Sequence, residues 1–363
     1  MFGNIFKIRP KRFLGIDIGT SFVKVVELRR KGKKFFLENY GELGILYPQR
    51  RSFRVYEKDT LLLSDQDIAK AIQTICREAR IQTKEVNFSI PDFATFFTSF
   101  QLPEMTKEEI PEAIKYEARP YIPLPLGELY LDWVVTEGEP GKTPLKILAV
   151  AIPNDIIHQY EEIARVSNLK LKAMEPEVFA IARSLEPLVE SGGKKLVALI
   201  DIGARSTTYN ILEQKVLKTS HSFNMGSNEL TETIARSLNI GYNEAEELKI
   251  KYGLSSGGPE GVKYKQNIRE ILLPLIDTII NETKRVFRNF YQNKGEEIER
   301  IILAGGLALL PGLKEYFAAE LNKEVVIADP FLNISYPDLL AETLKKSGPS
   351  YVVAVGLAMK GFE

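Results

Sequence analysis

The chain has 363 residues, of which 44% are hydrophobic and 26% are charged, so it can bury a large core and form two or three domains. Lysine plus arginine equals aspartate plus glutamate at 48 each, and this balance argues against a nucleic-acid partner. Its single cysteine, Cys76, excludes an internal disulfide, and with two histidines it leaves too few soft ligands for a structural zinc site. No apolar run is long enough to span a bilayer or to act as a signal peptide, so we expect a cytoplasmic protein.

The first elements in chain order predict a sheet covered by a helix. The start, MFGNIFKIRPKRF, could be a short interfacial anchor, although a frayed basic terminus is the commoner meaning of such a stretch. Residues 13–44 read as three antiparallel strands, separated by a turn at Gly19 and by the hairpin turn RKGKK. Ser64 or Asp65 can then cap a helix whose apolar residues recur at helical spacing.

From Val86 the pattern changes to short strands around one helix, and it ends in the helix NDIIHQYEEIARVSN. A proline-rich joint, RPYIPLPLGE, lies inside this stretch. We expect residues 85–160 to form a small α+β unit that is set into a larger fold. The strand LKLKAME and a helix follow, and SGGKK marks a boundary.

The second half repeats the arrangement of the first. KLVALIDIG, ARSTTYNILE and KVLKTSHSF read as three strands, and several helices follow them, including a long one across 263–293. A strand in IERIILAGG, a helix after it and a last helix in PSYVVAVGLAMKG close the chain. Two halves that each open on a β-hairpin with an Asp and a Gly indicate an internal duplication.

The two hairpins carry matching acidic motifs, in which Asp17 and Asp201 are equivalent and lie 184 positions apart (201 minus 17). A tight turn between strands can point several backbone N–H groups at an anion, and glycine permits a close approach of phosphate. Two such hairpins could grip a triphosphate while the two carboxylates hold a hydrated magnesium ion. For one copy alone, a plain strand end with a turn would be the better interpretation, and the repeat favours the clamp.

A third motif, IERIILAGGLALLPGL, runs from a strand through Gly305 and Gly306 into a helix. Backbone at such a place could lie against a nucleoside without a side chain between them. Strand, Gly-Gly and helix also occur in many other α/β folds, and a Rossmann G-x-G-x-x-G is absent here, so the motif is weak by itself.

In this order the motifs resemble those of the actin-like ATPase superfamily, which includes actin, MreB, FtsA and certain sugar kinases, and the match covers almost the whole chain. GIDIGTSFVKVVEL resembles the first phosphate motif, LIDIGARSTTYNIL the second, and ILAGGLALLPGL the adenosine motif. MEPEVFAIARS is similar to the connecting helix, whose acid would be Glu175, the candidate catalytic residue. The segment that begins GSNELTET is similar to the MreB stretch that reaches the nucleoside, which would put Glu246 and Lys249 near adenine and ribose, unless it is an ordinary solvated helix with an i, i+3 charge pair.

The resemblance implies an α/β fold, namely a duplicated actin-like (ribonuclease H-like) ATPase fold with two lobes around a nucleotide cleft and an inserted SHS2-type subdomain. The first lobe would comprise residues 1–84, completed by 161–192 and 344–363. The insert would be 85–160, and the second lobe 193–343.

The implied cofactors are ATP and Mg²⁺, with Asp17 and Asp201 on the metal through water. The implied nucleotide-binding residues are Asp17, Gly19, Thr20, Ser21, Asp201, Gly203, Ala204, Arg205, Ser206, Glu246, Lys249, Gly305, Gly306 and Ala308. Ala204 and Arg205 stand where MreB-like enzymes carry glycines, and Arg205 could bring a positive charge near phosphate. Binding could survive this departure, whereas fast hydrolysis is less assured because only Glu175 is an evident candidate to position the attacking water.

The insert narrows the choice within the superfamily. It resembles the insert of FtsA, and EARPYIPLPLGELYLDWVV is similar to the corresponding stretch of the PilM family of type IV pilus assembly proteins. That resemblance implies an ATP-binding assembly protein of the inner-membrane platform, which captures the cytoplasmic tail of the single-span protein PilN in a groove beside the insert. It also implies recruitment to the inner face of the cytoplasmic membrane, and it would be compatible with contacts to pilus motor ATPases and with self-association.

An extended tail could lie against an exposed strand edge or an apolar surface from FFTSFQLP and YIPLPL. The candidate groove residues are Phe96, Phe97, Phe100, Tyr121 and Ile122. The alternative is that these side chains form only the core of the insert itself.

Three functions compete: an assembly adaptor, a filament-forming divisome or cytoskeletal ATPase, and a small-molecule kinase of the same fold. FtsA-like proteins end in an amphipathic membrane helix after a linker, whereas this sequence stops at AMKGFE directly after its last expected helix, which favours the adaptor. A kinase would need an acceptor pocket with a suitable base, and the sequence points to none.

Overall fold

The computed structural model describes residues 11–44, 64–193, 195–255 and 262–363. Within these ranges the strands are β1 (Arg12–Ile18), β2 (Phe22–Lys31), β3 (Lys34–Gly44), β4 (Glu85–Ile90), β5 (Phe96–Leu102), β6 (Leu129–Glu137), β7 (Leu145–Pro153), β8 (Lys170–Pro176), β9 (Leu196–Ile202), β10 (Thr207–Glu213), β11 (Val216–Phe223), β12 (Arg300–Ala304), β13 (Glu324–Ile327) and β14 (Ile334–Ser335). The helices there are α1 (Asp65–Glu78), α2 (Ile110–Ala118), α3 (Asn154–Val166), α4 (Glu177–Ser184), α5 (Glu186–Glu190), α6 (Ser227–Leu238), α7 (Tyr242–Tyr252), α8 (Val262–Lys294), α9 (Leu313–Leu321), α10 (Ala341–Ser347) and α11 (Val352–Lys360). The anchor suggested for the N-terminus falls on residues 1–10, outside the described residues.

The first lobe is built on a sheet with the strand order β14-β3-β2-β1-β4-β8. Because β14 pairs with β3, it belongs to this lobe, although the predicted range 193–343 assigns it to the second. β1, β2 and β3 are antiparallel neighbours, whereas β4 lies parallel to β1 and β8 lies parallel to β4. Helix α1 begins where the sequence predicts, because the Ser64 hydroxyl oxygen accepts a hydrogen bond from the N–H of Asp67 at 3.2 Å. Its apolar face, with Ile68 and Ile72, packs into the core between the sheet and α3.

The second lobe repeats this topology, with the strand order β11-β10-β9-β12-β13. β9, β10 and β11 are antiparallel neighbours, and β12 lies parallel to β9 as β4 does to β1. The duplication that the sequence predicts is therefore present in the strand order of both sheets. Among the described helices α8 is the longest at 33 residues, and its buried face, with Ile268, Leu272 and Ile276, packs into the core of this lobe.

Helices α4 and α11 cross between the two sheets and pack against each other. Their backbones come very close, since a Cβ on Gly356 would lie 1.9 Å from the carbonyl oxygen of Ala180. Only glycine permits this approach. Around the crossing the side chains of both lobes form one core, to which Val178, Leu199 and Leu357 contribute.

The insert is a three-stranded antiparallel sheet, with the order β5-β7-β6, covered by α2. It spans Phe96–Pro153. The predicted range 85–160 is wider than this unit, because β4 pairs with β1 and β8 in the first sheet and α3 packs against α1. A short turn, Asp92–Ala94, connects β4 to the insert.

None of the helices in the described ranges combines the length and the apolar character that crossing a bilayer requires.

Candidate functional site

The two predicted phosphate hairpins have the same turn geometry. The N–H of Gly19 donates to the carbonyl oxygen of Phe22 at 3.0 Å, and the N–H of Gly203 donates to the carbonyl oxygen of Ser206 at 2.9 Å. A Cβ on either glycine would lie 3.1 Å from that same acceptor oxygen. The likeness of the two motifs thus extends from the sequence to the backbone.

The start of α6 connects the two hairpins by hydrogen bonds. The side-chain amide of Asn228, in the first turn of α6, donates to the hydroxyl oxygen of Ser21 in the first hairpin at 3.3 Å. The N–H groups of Ser227 and Asn228 also donate to the carbonyl oxygens of Gly203 and Ala204 at 2.9 and 2.8 Å. The start of α6 therefore lies against the second hairpin and contacts the first.

Asp17 and Asp201 are the next-to-last residues of β1 and β9, and the pKa values of both carboxyl groups are raised. Asp17 is buried and accepts a hydrogen bond from the hydroxyl of Ser89 at 3.2 Å; burial raises its pKa, while the charge of Lys24 and this bond oppose the rise. Burial and the charge of Asp17 raise the pKa of Asp201 to about 7. Its Oδ1 is buried and has no hydrogen-bond partner among the described residues, which is costly unless a ligand binds there.

Gly305 lies directly against this carboxylate. A Cβ on Gly305 would lie 2.3 Å from Oδ1 of Asp201, and the residue has φ of +85°, so glycine is required at this position for both reasons. A Cβ on Gly306 would meet no described atom within 4 Å, so the second glycine borders open space. Ala308, which the resemblance placed at the nucleotide, has its side chain in the core of the second lobe.

Asp92 is a further residue of the candidate site, and the sequence did not predict it. It follows β4, is 4% exposed, and accepts hydrogen bonds from the N–H of Val178 at 3.2 Å and from the side-chain amide of Asn210 at 3.3 Å. Burial raises the pKa of Asp92 to about 7 against the effect of these bonds, and the charge of Asp201 contributes to the rise. Its own N–H donates to Oε2 of Glu177 at 3.2 Å.

The acid at the start of the connecting helix is Glu177, two residues after the predicted Glu175. Glu175 lies in β8, where it is buried in a bidentate ion pair with Arg183. Glu177 begins α4, and burial together with the charges of Asp92, Asp17 and Asp201 raises its pKa well above its usual range. Pro176 is the signal that could have found it, because helices often start immediately after or at a proline.

Lys249 is buried rather than presented to solvent. Its ammonium group donates to the hydroxyl oxygens of Ser227 at 2.5 Å and Thr231 at 2.7 Å and to Oε2 of Glu246 at 2.7 Å. Burial lowers the pKa of Lys249, and the charge of Glu246 opposes that effect. Lys249 therefore does not lie on an ordinary solvated helix surface. Its hydrogen bonds connect α7 to the first turn of α6, beside the second hairpin.

The candidate groove residues divide between core and surface. Phe100 and Ile122 are buried in the core of the insert, and Phe96 packs partly against that core. The ring of Phe97 lies on the other face of β5, edge-on to Phe179 of α4 at 6.2 Å between ring centroids. Tyr121 is 59% exposed. Other exposed apolar side chains of the insert are Tyr116, Leu124, Tyr130 and Val134.

The donor set suits a magnesium ion only if the nucleotide and water supply further ligands. In the described part of the chain, no three Asp, Glu, His or Cys side chains are grouped so that they could hold a metal ion by themselves. Asp201 Oδ1 offers a buried oxygen without a partner, and Mg²⁺ commonly uses one or two carboxylates together with phosphate and water oxygens. The residues present therefore fit a metal–nucleotide complex better than a metal alone.

Comparisons with known proteins identify relatives of this chain. A model of the family described as type IV pilus assembly protein PilM matches residues 15–362. The cell division protein FtsA of Enterococcus faecalis is 25% identical over 342 residues, which cover 83% of this chain and 74% of FtsA.

Solved structures show the same fold. A PilM–PilN type IV pilus biogenesis complex has a TM-score of 0.83 at 24% identity, covering 98% of this chain and 100% of that chain. MreB5 of Spiroplasma citri bound to AMPPNP has a TM-score of 0.52 at 15% identity, covering 98% of this chain and 96% of that chain. These likenesses confirm the predicted actin-like α/β fold. Because the family model spans nearly the whole sequence, the chain belongs to the PilM family of type IV pilus assembly proteins.

Proposed function

We propose that this chain binds ATP with Mg²⁺ between its two hairpins and holds the cytoplasmic N-terminal tail of a PilN-like inner-membrane protein. The observation that carries the nucleotide part is the buried Oδ1 of Asp201, which lies against Gly305 and has no partner among the described residues. The partner part is supported by membership of the PilM family and by the likeness to the solved PilM–PilN complex.

Different residues of the proposed site would bind the phosphates and the metal ion. Within the described ranges, no backbone hydrogen bond uses the N–H groups of Thr20 and Ser21, so the first hairpin can offer them to phosphate oxygens. Asp17 and Asp201 would hold Mg²⁺, partly through water, and the ion would neutralise charge on the phosphates and on both carboxylates. The raised pKa values of Asp17 and Asp201 mean that their ionised carboxylates are destabilised in the folded protein. Binding of Mg²⁺ would reduce this free-energy cost.

We expect ATP hydrolysis to be slow or absent. The carboxylate of Glu175 is engaged by Arg183 and is not available as a base. Oε2 of Glu177 accepts the N–H of Asp92 at 3.2 Å, so this carboxyl group is also engaged within the protein. Nucleotide would then act by setting the conformation of the protein rather than by turnover.

The partner would bring this protein to the inner face of the cytoplasmic membrane. The exposed apolar side chains of the insert, with Tyr121 among them, provide surface against which an extended peptide can pack. Filament formation is the second candidate function, because the identity with FtsA extends over 83% of the chain.

Titration calorimetry with ATP and Mg²⁺ tests the site. Asp17→Ala and Asp201→Ala should each lose nucleotide affinity. Asp338→Ala, at an exposed position outside the proposed nucleotide site, should bind ATP as the unaltered protein does. Unchanged affinity in both cleft variants would show that the site assignment is wrong.

Anisotropy with a fluorescent peptide of the PilN-like cytoplasmic tail tests the partner. We expect binding in at least one nucleotide state. If the peptide fails to bind with and without ATP, and the protein sediments as filaments with ATP, the second candidate function replaces the first.

A further inference from the structure

The turn Asp92–Ala94 is the place where the first lobe, the second lobe and the insert meet. It leaves the first sheet at the end of β4 and leads within two residues into β5, the first strand of the insert. Internal hydrogen bonds make it rigid: the N–H of Ala94 and the hydroxyl of Thr95 donate to the carbonyl oxygen of Pro91 at 3.0 and 3.1 Å. A displacement of the turn must therefore displace the start of β5.

On the side of the first lobe, the turn and β5 are fastened to the connecting helix α4. The carboxylate of Asp92 accepts the N–H of Val178 in the first turn of that helix. The ring of Phe97 in β5 packs edge-on against the ring of Phe179. These two contacts fix one side of the turn to the element that joins the lobes.

On the side of the second lobe, the turn contacts the second phosphate hairpin and its outgoing strand. The guanidinium of Arg205, in the hairpin itself, lies 5.4 Å from the centroid of the Phe93 ring. The side-chain amide of Asn210, the fourth residue of β10 and fully buried, donates to Asp92. The hairpin that is expected to bind phosphate is thus in direct contact with the turn that carries the insert.

We propose that the contact between Arg205 and Phe93 couples nucleotide binding to the partner affinity of the insert. This proposal rests on the proposed function. A bound triphosphate is a stronger ligand for a guanidinium than an aromatic ring is, because charge-assisted hydrogen bonds exceed a cation–π contact at a partly exposed site. Phosphate would therefore draw Arg205 away from Phe93, and the rigid turn would pass the change to β5.

The coupling makes Phe93 a positioning residue that touches neither ligand. It is half-buried, and replacing it with leucine keeps an apolar side chain while removing the aromatic face. Phe93→Tyr keeps the aromatic face and serves as the rescue variant. Phe36→Leu is the matched control, because the guanidinium of Arg29 lies 4.4 Å from the Phe36 ring on β3, away from the turn.

The test measures the affinity of the labelled PilN-like tail peptide by anisotropy without nucleotide and with Mg-ATP, alongside the ATP affinity by calorimetry. In the unaltered protein, Phe93→Tyr and Phe36→Leu, the two peptide affinities should differ by about fivefold or more. In Phe93→Leu their ratio should fall towards one, while peptide and ATP still bind.

Two results overturn the coupling while leaving the proposed function standing: a ratio of one in the unaltered protein, or an undiminished ratio in Phe93→Leu. The first of these results needs no variant, so it decides whether the coupling exists even if Phe93→Leu does not fold. Failure of the unaltered protein to bind ATP or the peptide at all would overturn the proposed function and the coupling together.

Discussion

Replacing Asp201 with asparagine should make the nucleotide-free protein more stable at alkaline pH and abolish its response to Mg-ATP. The folded protein buries Oδ1 of Asp201 near the charge of Asp17 and gives it no hydrogen-bond partner among the described residues. Asparagine has nearly the same shape and carries no charge. It therefore removes the cost of the ionised carboxylate and, with it, the negatively charged ligand for the metal ion.

The structure gives the size and the sign of the effect. The pKa of Asp201 rises from 3.8 to about 7, and about 1.4 kcal/mol per pK unit makes an upper bound of about 4 kcal/mol. Since the raised pKa lets the folded protein bind more protons than the unfolded chain across this interval, the free energy of unfolding falls as pH rises from 3.8 towards 7. The asparagine variant lacks this fall, so its stability relative to the unaltered protein should grow by about 2 to 3 kcal/mol from pH 5 to pH 8.

Urea unfolding of both proteins at pH 5 and pH 8 measures this difference, and Asp338→Asn at an exposed position is the control. Thermal unfolding at pH 8 with and without Mg-ATP then measures the ligand response, which we expect only in the unaltered protein and the control. If the stability difference between Asp201→Asn and the unaltered protein does not increase with pH, the Asp201 carboxylate carries no cost of a buried charge. If the variant keeps its Mg-ATP shift, Asp201 is not a ligand of the metal ion.

Two further substitutions test the surroundings of the site. Gly305→Ala should weaken ATP binding in calorimetry by about tenfold or more, because its Cβ would lie 2.3 Å from the Asp201 carboxylate. The control Gly127→Ala, whose Cβ would lie in open space, should bind ATP as the unaltered protein does. Equal ATP affinities of the two variants would contradict this prediction. Lys249→Met should lower the free energy of unfolding by about 3 kcal/mol in urea, because it leaves the buried hydrogen-bond partners of Lys249 unpaired. Lys251→Met, at an exposed position, should change this free energy little. A loss below about 1 kcal/mol in Lys249→Met would show that the hydrogen bonds of Lys249 contribute little to stability.

The hairpins could be predicted from the sequence because their signal is local. Alternating apolar residues define the strands, and an Asp followed two positions later by a Gly recurs at matching strand ends, so Asp17 and Asp201 could be paired before any contact was known. The turns at Gly19 and Gly203 form the same backbone hydrogen bond because the two motifs share the same local sequence pattern.

Asp92 could not be predicted because its partners are distant in sequence. SIPDF reads as a strand end with a turn, and nothing local distinguishes this aspartate from an exposed one. Its hydrogen bond to Asn210 joins residues 118 positions apart, and its burial exists only once both lobes have packed. The sequence predicts Glu175, whereas Glu177 is the acid that faces the other carboxylates, because the strand-to-helix boundary decides which of the two does so.

The insert shows a further limit of sequence reasoning. FFTSF is apolar on both faces of its strand, and the pattern does not reveal that one face meets α2 while the other meets α4. Phe100 therefore lies inside the insert and Phe97 lies against the connecting helix, whereas Tyr121, the last residue of a proline-containing turn, remains at the surface.

The close crossing of α4 and α11 restricts the kind of motion by which the cleft can open. Because the backbone at Gly356 touches the backbone at Ala180, sliding one helix along the other would drive the side chains that flank this contact into opposing backbone atoms. Rotation about the contact meets no such obstacle. We therefore expect the lobes to move by hinge bending rather than by shear, with the axis near this crossing and the hydrogen bond between Ser21 and Asn228 breaking first as the hairpins separate.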